Sequence, residues 1–348
     1  MTEEITVQEG EDAGFVSMRK VIAFVFAAVI VYLIIMFLFQ FEQVAAAIAG
    51  IEWWWVLPAM MGLSFLNYIL RYIKWQYFLR RIDVNLSHAD SFSIFLAGFT
   101  LTTSPGKIGE AVKGYFIKEL DDTPIAKTVP VVVSERVTDL LAMVILAMVG
   151  FILGLSGVDQ LTTMLLLGGL IFGGAIFLSQ PRFYNFFLRK MTSFGPLKRF
   201  QDSIDLVEDT MVKTLRPKPM LLSTGVSIPG WFMECIELWL ILSLLTGAGI
   251  PSFTAASLTL LMISTFIHST ASVIGALSFL PGGLGSYEVT CAILVALLLG
   301  LPAESANVIA GAATIIIRLM TLWFSVFVGF MALGIVTRRR KQKSVQQA

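Results

Sequence analysis

Ser104-Pro105-Gly106-Lys107-Ile108-Gly109-Glu110 interrupts an apolar run that is otherwise long enough to enter a membrane, and Leu280-Pro281-Gly282-Gly283-Leu284-Gly285 does the same near the other end of the chain. In each stretch a Pro-Gly pair is followed three residues later by another glycine. Backbone N–H and C=O groups find no water in hydrocarbon, so irregular chain at that depth is confined to places buried in protein or lining a cavity. The two breaks therefore mark a candidate site, with close helix packing by small residues as the plainer use of their glycines.

Composition sets the surroundings. Of 348 residues 56% are hydrophobic and only 14% charged, with a mean hydropathy of +0.81, which is the balance of an integral membrane protein and not of a soluble domain. Cys235 and Cys291 lie far apart in apolar runs and read as packing residues; His88 and His268 are also unclustered. No metal, cofactor or nucleic-acid partner is expected, and the absence of a GxxxxGK[ST] loop leaves no ATP site in the pattern.

Around the breaks, apolar runs at 21–40, 53–78, 129–155, 161–178, 220–246 and 305–336 are each read as a spanning helix, since a crossing takes about 20 residues. Residues 1–19 form an acidic tail, and the run after Arg19 and Lys20 is too long for a signal-peptide core, so it reads as a retained first span. Loops 41–52, 156–160 and 247–253 lack Lys and Arg. Arg71, Lys74, Arg80 and Arg81 close the second run, residues 181–219 are basic, and Arg338-Arg339-Arg340-Lys341 opens a basic tail over 337–348. The positive-inside rule then puts both termini in the cytoplasm, and the plasma membrane is the expected compartment.

Residues 89–120 have limbs too short to cross, so a re-entrant hairpin is expected there, with Ser104 as N-cap and Pro105 as the first helical residue of its returning limb. Residues 254–300 read as a second hairpin, although the first limb, to 280, has the length of a full span. The expected fold is all-α: a polytopic membrane protein of about six spans and two re-entrant hairpins in an inverted-topology repeat, a plan common among transporters. Its domain runs from 20 to 336, with halves at about 20–156 and 160–336. An amphipathic helix within 181–219, apolar at Phe200, Ile204, Val207, Met211 and Leu215, lies either on the membrane surface or on the cytoplasmic ends of the bundle.

Charged residues within apolar runs are costly and need partners or water. Glu135 and Asp139 share a helix face with Arg136 beside them; Lys107, Glu110 and Lys113 follow the first break at three-residue intervals; Glu288 follows the second; and Arg318 sits in the last span. These form either ion pairs that pin the hairpins or the lining of a polar path. A helix start at the first break would aim free N–H groups and the positive dipole end inward, a seat for an anion beside Lys107. Asn67 and Arg71 share a face, as do Glu234 and Glu237, and Arg318 has three candidate partners in Glu288, Glu234 and Glu237.

Three stretches, Ser104 to Glu110, Ser134-Glu135-Arg136-Val137-Thr138-Asp139, and Leu280 to Glu288, resemble the signatures of the lysylphosphatidylglycerol synthase transmembrane-region family, the flippase-like part of the multiple peptide resistance factor. The resemblance runs from about residue 20 to 336. It implies a lipid flippase for aminoacylated phospholipids or polyprenyl-phosphate-linked sugars. Membrane lipids are then the expected partners, and a homodimer is a further expectation. The resistance factor carries a soluble aminoacyl-transferase domain after its membrane part, whereas this chain ends about a dozen residues after its last span; a transporter without lipid synthesis, and no enzyme, is expected. The translocation residues so assigned are Ser104, Pro105, Gly106, Lys107, Gly109, Glu110, Lys113, Glu135, Arg136, Asp139, Pro281, Gly282, Gly283, Gly285, Glu288 and Arg318. A lipid-phosphate transferase using Glu110 or Asp139 as base and a small-solute or ion carrier are the rival readings.

Overall fold

A computed structural model describes residues 41–104, 107–155 and 203–347. The acidic tail, the expected spans at 21–40 and 161–178, residues 181–202 of the basic loop, and Pro105 and Gly106 lie outside the described residues.

Every regular element described is helical, apart from one isolated bridge residue at Pro281. After a short α1 (Phe41–Ala49), α2 (Trp53–Arg81) runs for 29 residues. Next come α3 (His88–Ala97), a 3₁₀ turn (Gly98–Leu101), the first break, a second 3₁₀ turn (Ile108–Ala111) and α4 (Val112–Asp121). The chain continues through α5 (Ile125–Gly154), α6 (Ile204–Leu215), α7 (Pro217–Leu245), α8 (Ala255–Leu277), α9 (Ser286–Leu298) and α10 (Ala303–Arg318). A π turn (Leu319–Trp323) joins α10 to α11 (Phe324–Gln347).

Among the described residues five stretches are long and apolar enough to cross a membrane: α2, α5, α7, α8, and the continuous helix from Ala303 to Arg339. Four coincide with expected spans, and the protein is an all-α, multi-pass membrane protein. The fifth, α8, is the limb expected to dip and return. At 23 residues it rises about 35 Å, more than the hydrocarbon thickness of about 30 Å, because its apolar run meets no break before Leu277. Its return limb α9 has 13 residues, about 20 Å. The first hairpin is different: α3 and α4 have 10 residues each, about 15 Å, and neither can cross.

Two apolar cores hold the helices together. One joins α2, α7, α8, α9 and α10 through Met60, Leu238, Ile267, Cys291 and Ala313. The other packs the first hairpin between α2, α5 and α11 through Trp75, Phe78, Phe95, Phe99, Val131 and Val328. Glycine sets how closely the backbones approach. A Cβ on Gly150 of α5 would lie 2.6 Å from the Met262 carbonyl oxygen of α8, and one on Gly329 of α11 would lie 2.8 Å from the Phe99 carbonyl carbon. α8 and the turn after α3 are thus each held by a long helix distant in sequence, α5 and α11. Of the two placements open to the amphipathic segment, α6 takes the one against the bundle: Thr214 and Ser134 hydroxyls are 2.7 Å apart, and Met211 and Leu215 are buried.

Candidate functional site between the two breaks

The breaks meet. A Cβ on Gly282 would lie 3.5 Å from the Thr103 Cα, so the second turn rests on the first. Gly282, Gly283 and Gly285 all have positive φ, and Gly283 also lacks room, a Cβ there coming within 3.1 Å of Gly275. Gly109 is needed for space instead, since its Cβ would press on Leu101 and on the Ser104 hydroxyl at 2.7 Å.

The first break departs from its expected form. Ser104 Oγ accepts from the Gly109 N–H, five residues on, at 2.7 Å, and Lys107 is left-handed with φ +56°. Pro105, expected to open a helix, lies outside the described residues; after Lys107 a 3₁₀ turn starts at Ile108 and α4 at Val112. A non-glycine residue in that conformation carries a local cost that the surrounding structure must offset. At the second break α9 begins at Ser286, directly after the last glycine, with the Glu288 carboxylate accepting from the Gly285 N–H at 2.7 Å.

Two sets of buried charges fasten these turns. In the first, Lys113 Nζ lies 2.6 Å from Glu135 Oε2 and 3.7 Å from Glu110 Oε2; Arg136 Nη2 lies 3.3 Å from Glu110 and 3.2 Å from Asp139; and Asp139 also holds Lys74 of α2 in a short contact. Lys74 further donates to Ser227 of α7 at 2.9 Å. Three cations face three carboxylates, so this network closes on itself and ties α2, α4, α5 and α7 together. In the second, Arg318 Nε donates to Glu288 at 2.7 Å and Nη2 to the Gly282 carbonyl oxygen at 2.7 Å, with Tyr287 beneath the guanidinium. Of the three carboxylates open to Arg318 in the sequence, Glu288 is the one it takes.

Between the turns lies a cavity of about 270 Å³, lined by Ser104, Lys107, Arg136, Asp139, Gly282, Gly283 and Arg318 of the expected set. Glu110, Lys113, Glu135 and Glu288 stand behind that lining as its anchors. Arg71, Trp231, Glu234, His268 and Tyr287 also line it. Arg71, one of the basic residues that close the second run and a face-mate of Asn67, is 5% exposed and points into the bundle. Its guanidinium lies 5.0 Å from the Phe99 ring centroid and 5.4 Å from that of Trp231, and Lys107 Nζ lies 5.4 Å from the same indole. Among the described residues neither Arg71 nor Lys107 has a carboxylate ion-pair partner. Among the described residues, Arg71 Nε and Nη2 and Trp231 Nε1 are buried donors with no acceptor. Buried donors beside positive charge that forms no ion pair have the chemistry to accept an anion's oxygens.

On the other wall, Glu234 accepts from Asn67 at 3.1 Å and meets His268 Nε2 at 3.2 Å, and His268 Nδ1 meets the Tyr287 hydroxyl at 2.9 Å. Among the described residues no group of His, Cys, Asp and Glu is arranged to hold a metal ion. The spacing of 34 residues between Glu234 and His268 hid their pairing from any local pattern.

The model of one protein family, described as the lysylphosphatidylglycerol synthase TM region, matches residues 21–329. No curated protein matches the chain.

Proposed function

We propose a role for a chain that belongs to the lysylphosphatidylglycerol synthase TM region family: it moves a lipid with a phosphate-bearing, anionic headgroup across the bilayer, the headgroup passing between the two breaks while the acyl chains stay in lipid. Aminoacylated phospholipids and polyprenyl-phosphate-linked sugars both have the required chemistry. The observation that carries this reading is the pair Arg71 and Lys107, two cations on one indole, lining a cavity without a carboxylate of their own.

The exchange of clasps, with Gly150 closing on the second hairpin and Gly329 on the first, supports an inverted repeat in which each half grips the broken element of the other. Under this plan the first hairpin enters from the cytoplasmic side, both termini face the cytoplasm of a plasma-membrane protein, and the site is reached from either leaflet in turn. The transferase reading is weaker because its candidate bases are engaged: Glu110 with Lys113 and Arg136, Asp139 with Lys74 and Arg136. The protein is thus read as a transporter and not an enzyme.

The test is translocation of fluorescent phosphatidylglycerol in proteoliposomes containing the full chain. A lost charge-assisted hydrogen bond is worth about 1.5–3 kcal/mol, so Arg71→Ala and Lys107→Ala should each slow movement by roughly tenfold or more while the protein stays folded. Absence of movement for every anionic headgroup tried would sink the proposal.

A further inference from the structure

The anion seat and the Glu234–His268 pair are one helical turn apart on two helices at once. On α2, Asn67, which holds Glu234, precedes Arg71 by four residues; on α7, Trp231, which carries Arg71 and Lys107, precedes Glu234 by three. Residues at those spacings are neighbours on one helix face. A negative headgroup on Trp231 would therefore lie beside a buried carboxylate, and like charges at such range in a dry site repel strongly.

We propose that the Glu234–His268 pair is a proton-binding site that loads together with the anion, making the transport proposed above a symport of proton and lipid headgroup. With Glu234 ionised and His268 neutral, the pair carries one negative charge. Tyr287, whose hydroxyl meets His268 Nδ1 and which lines the cavity, is the port. Its O–H proton passes to Nδ1, a hydronium ion from the open side reprotonates the phenol oxygen and leaves as water, and the pair becomes a neutral carboxylate–imidazolium. Release to the other side runs the same steps backward, and no other bond is made or broken.

The charges around the pair leave this role to it. Arg136 and Asp139 of α5 are committed to the first network, and Arg318 of α10 to Glu288 of α9 and the Gly282 carbonyl. Tyr68 of α2 and Lys107 of the first break lie within electrostatic reach of Glu234, and Arg71 of α2 lines the same cavity; on α7 its neighbours are Cys235 and Glu237, the latter bonded by Ser64 at 2.8 Å, and Cys291 of α9 lies beside Tyr287. Apart from Arg71 and Lys107, which await the anion, no nearby cation is uncommitted among the described residues. Binding of either ligand must then favour the other by the same factor.

The experiment is calorimetric binding of dioctanoyl phosphatidylglycerol to the detergent-solubilised full chain, in two buffers of different ionisation enthalpy. The expected result is uptake of up to one proton per lipid bound, with affinity tightening by up to about tenfold per unit fall in pH, and loss of both in Glu234→Gln. Wild-type protein gives a second readout: with only two histidines in the chain, ¹⁵N spectra should show one ring become imidazolium on lipid addition. Binding without proton uptake, uptake unchanged in E234Q, or a dependence on sodium ion in place of the proton overturns the symport and leaves the anion seat standing. Absence of binding to wild-type protein overturns both.

Discussion

Arg71 and Lys107 share the Trp231 indole, each with its charged group 5.4 Å from the ring centroid, although one belongs to α2 and the other to the first break. Like charges do not gather around one aromatic ring unless something offsets their repulsion. The ring's negative face offsets part of it, and among the described residues each carboxylate of the ion-pair network beside them is already paired with another cation. A dianionic or monoanionic phosphate would satisfy both cations and the idle Arg71 and Trp231 donors together.

Trp231→Phe should keep a π face but lose the indole N–H, and Trp231→Leu should lose both. With a cation–π contact worth about 0.5–2 kcal/mol, W231L is expected to weaken phosphatidylglycerol binding by roughly 2- to 30-fold, and W231F by less. Isothermal titration of the two variants checks the order.

Lys107→Gly separates stability from function. Relief of the left-handed backbone should stabilise the fold by about 1 kcal/mol, read as a higher thermal midpoint in detergent, while lipid movement falls because the cation is gone. A variant both less stable and fully active would contradict the placement of Lys107.

Lys113→Met strands Glu135 in a buried site, and breaking such a pair costs about 3–5 kcal/mol. A large drop in thermal midpoint or loss of folded material is expected. Lys113→Met with Glu135→Leu should recover most of it, because the apolar pair leaves no stranded charge. Size-exclusion profiles after heating distinguish the two.

Gly329→Ala presses a methyl group on the Phe99–Thr100 backbone, and Gly150→Ala presses one on α8. Overpacking of this kind costs about 1–3 kcal/mol. Both variants should unfold at lower temperature, whereas Gly62→Ala, where nothing lies within 4 Å, should not.

Much of this arrangement is readable from residues alone. Apolar runs near the needed length locate α2, α5, α7 and the Ala303–Arg339 helix, because a span must be long and water-poor whatever it packs against. The Pro-Gly breaks locate the cavity. Partnership is what the pattern does not carry: Arg71 and Lys74 look like charges at a membrane-facing helix end, while the fold turns both inward, toward Trp231 and Asp139. Glu234 and His268 sit on different helices, so no helical period links them. Ser104 accepts from the Gly109 N–H, five residues on, because Lys107 is left-handed and the next turn starts only at Ile108, a bend that residue types alone do not announce.

The most direct measurement is a density map of the full chain in nanodiscs containing phosphatidylglycerol. The account predicts a lipid phosphate between the two breaks, within hydrogen-bond distance of Arg71 and Lys107 and beside Trp231. A cavity that stays empty while lipids are ordered only on the outer surface of the helices would contradict it.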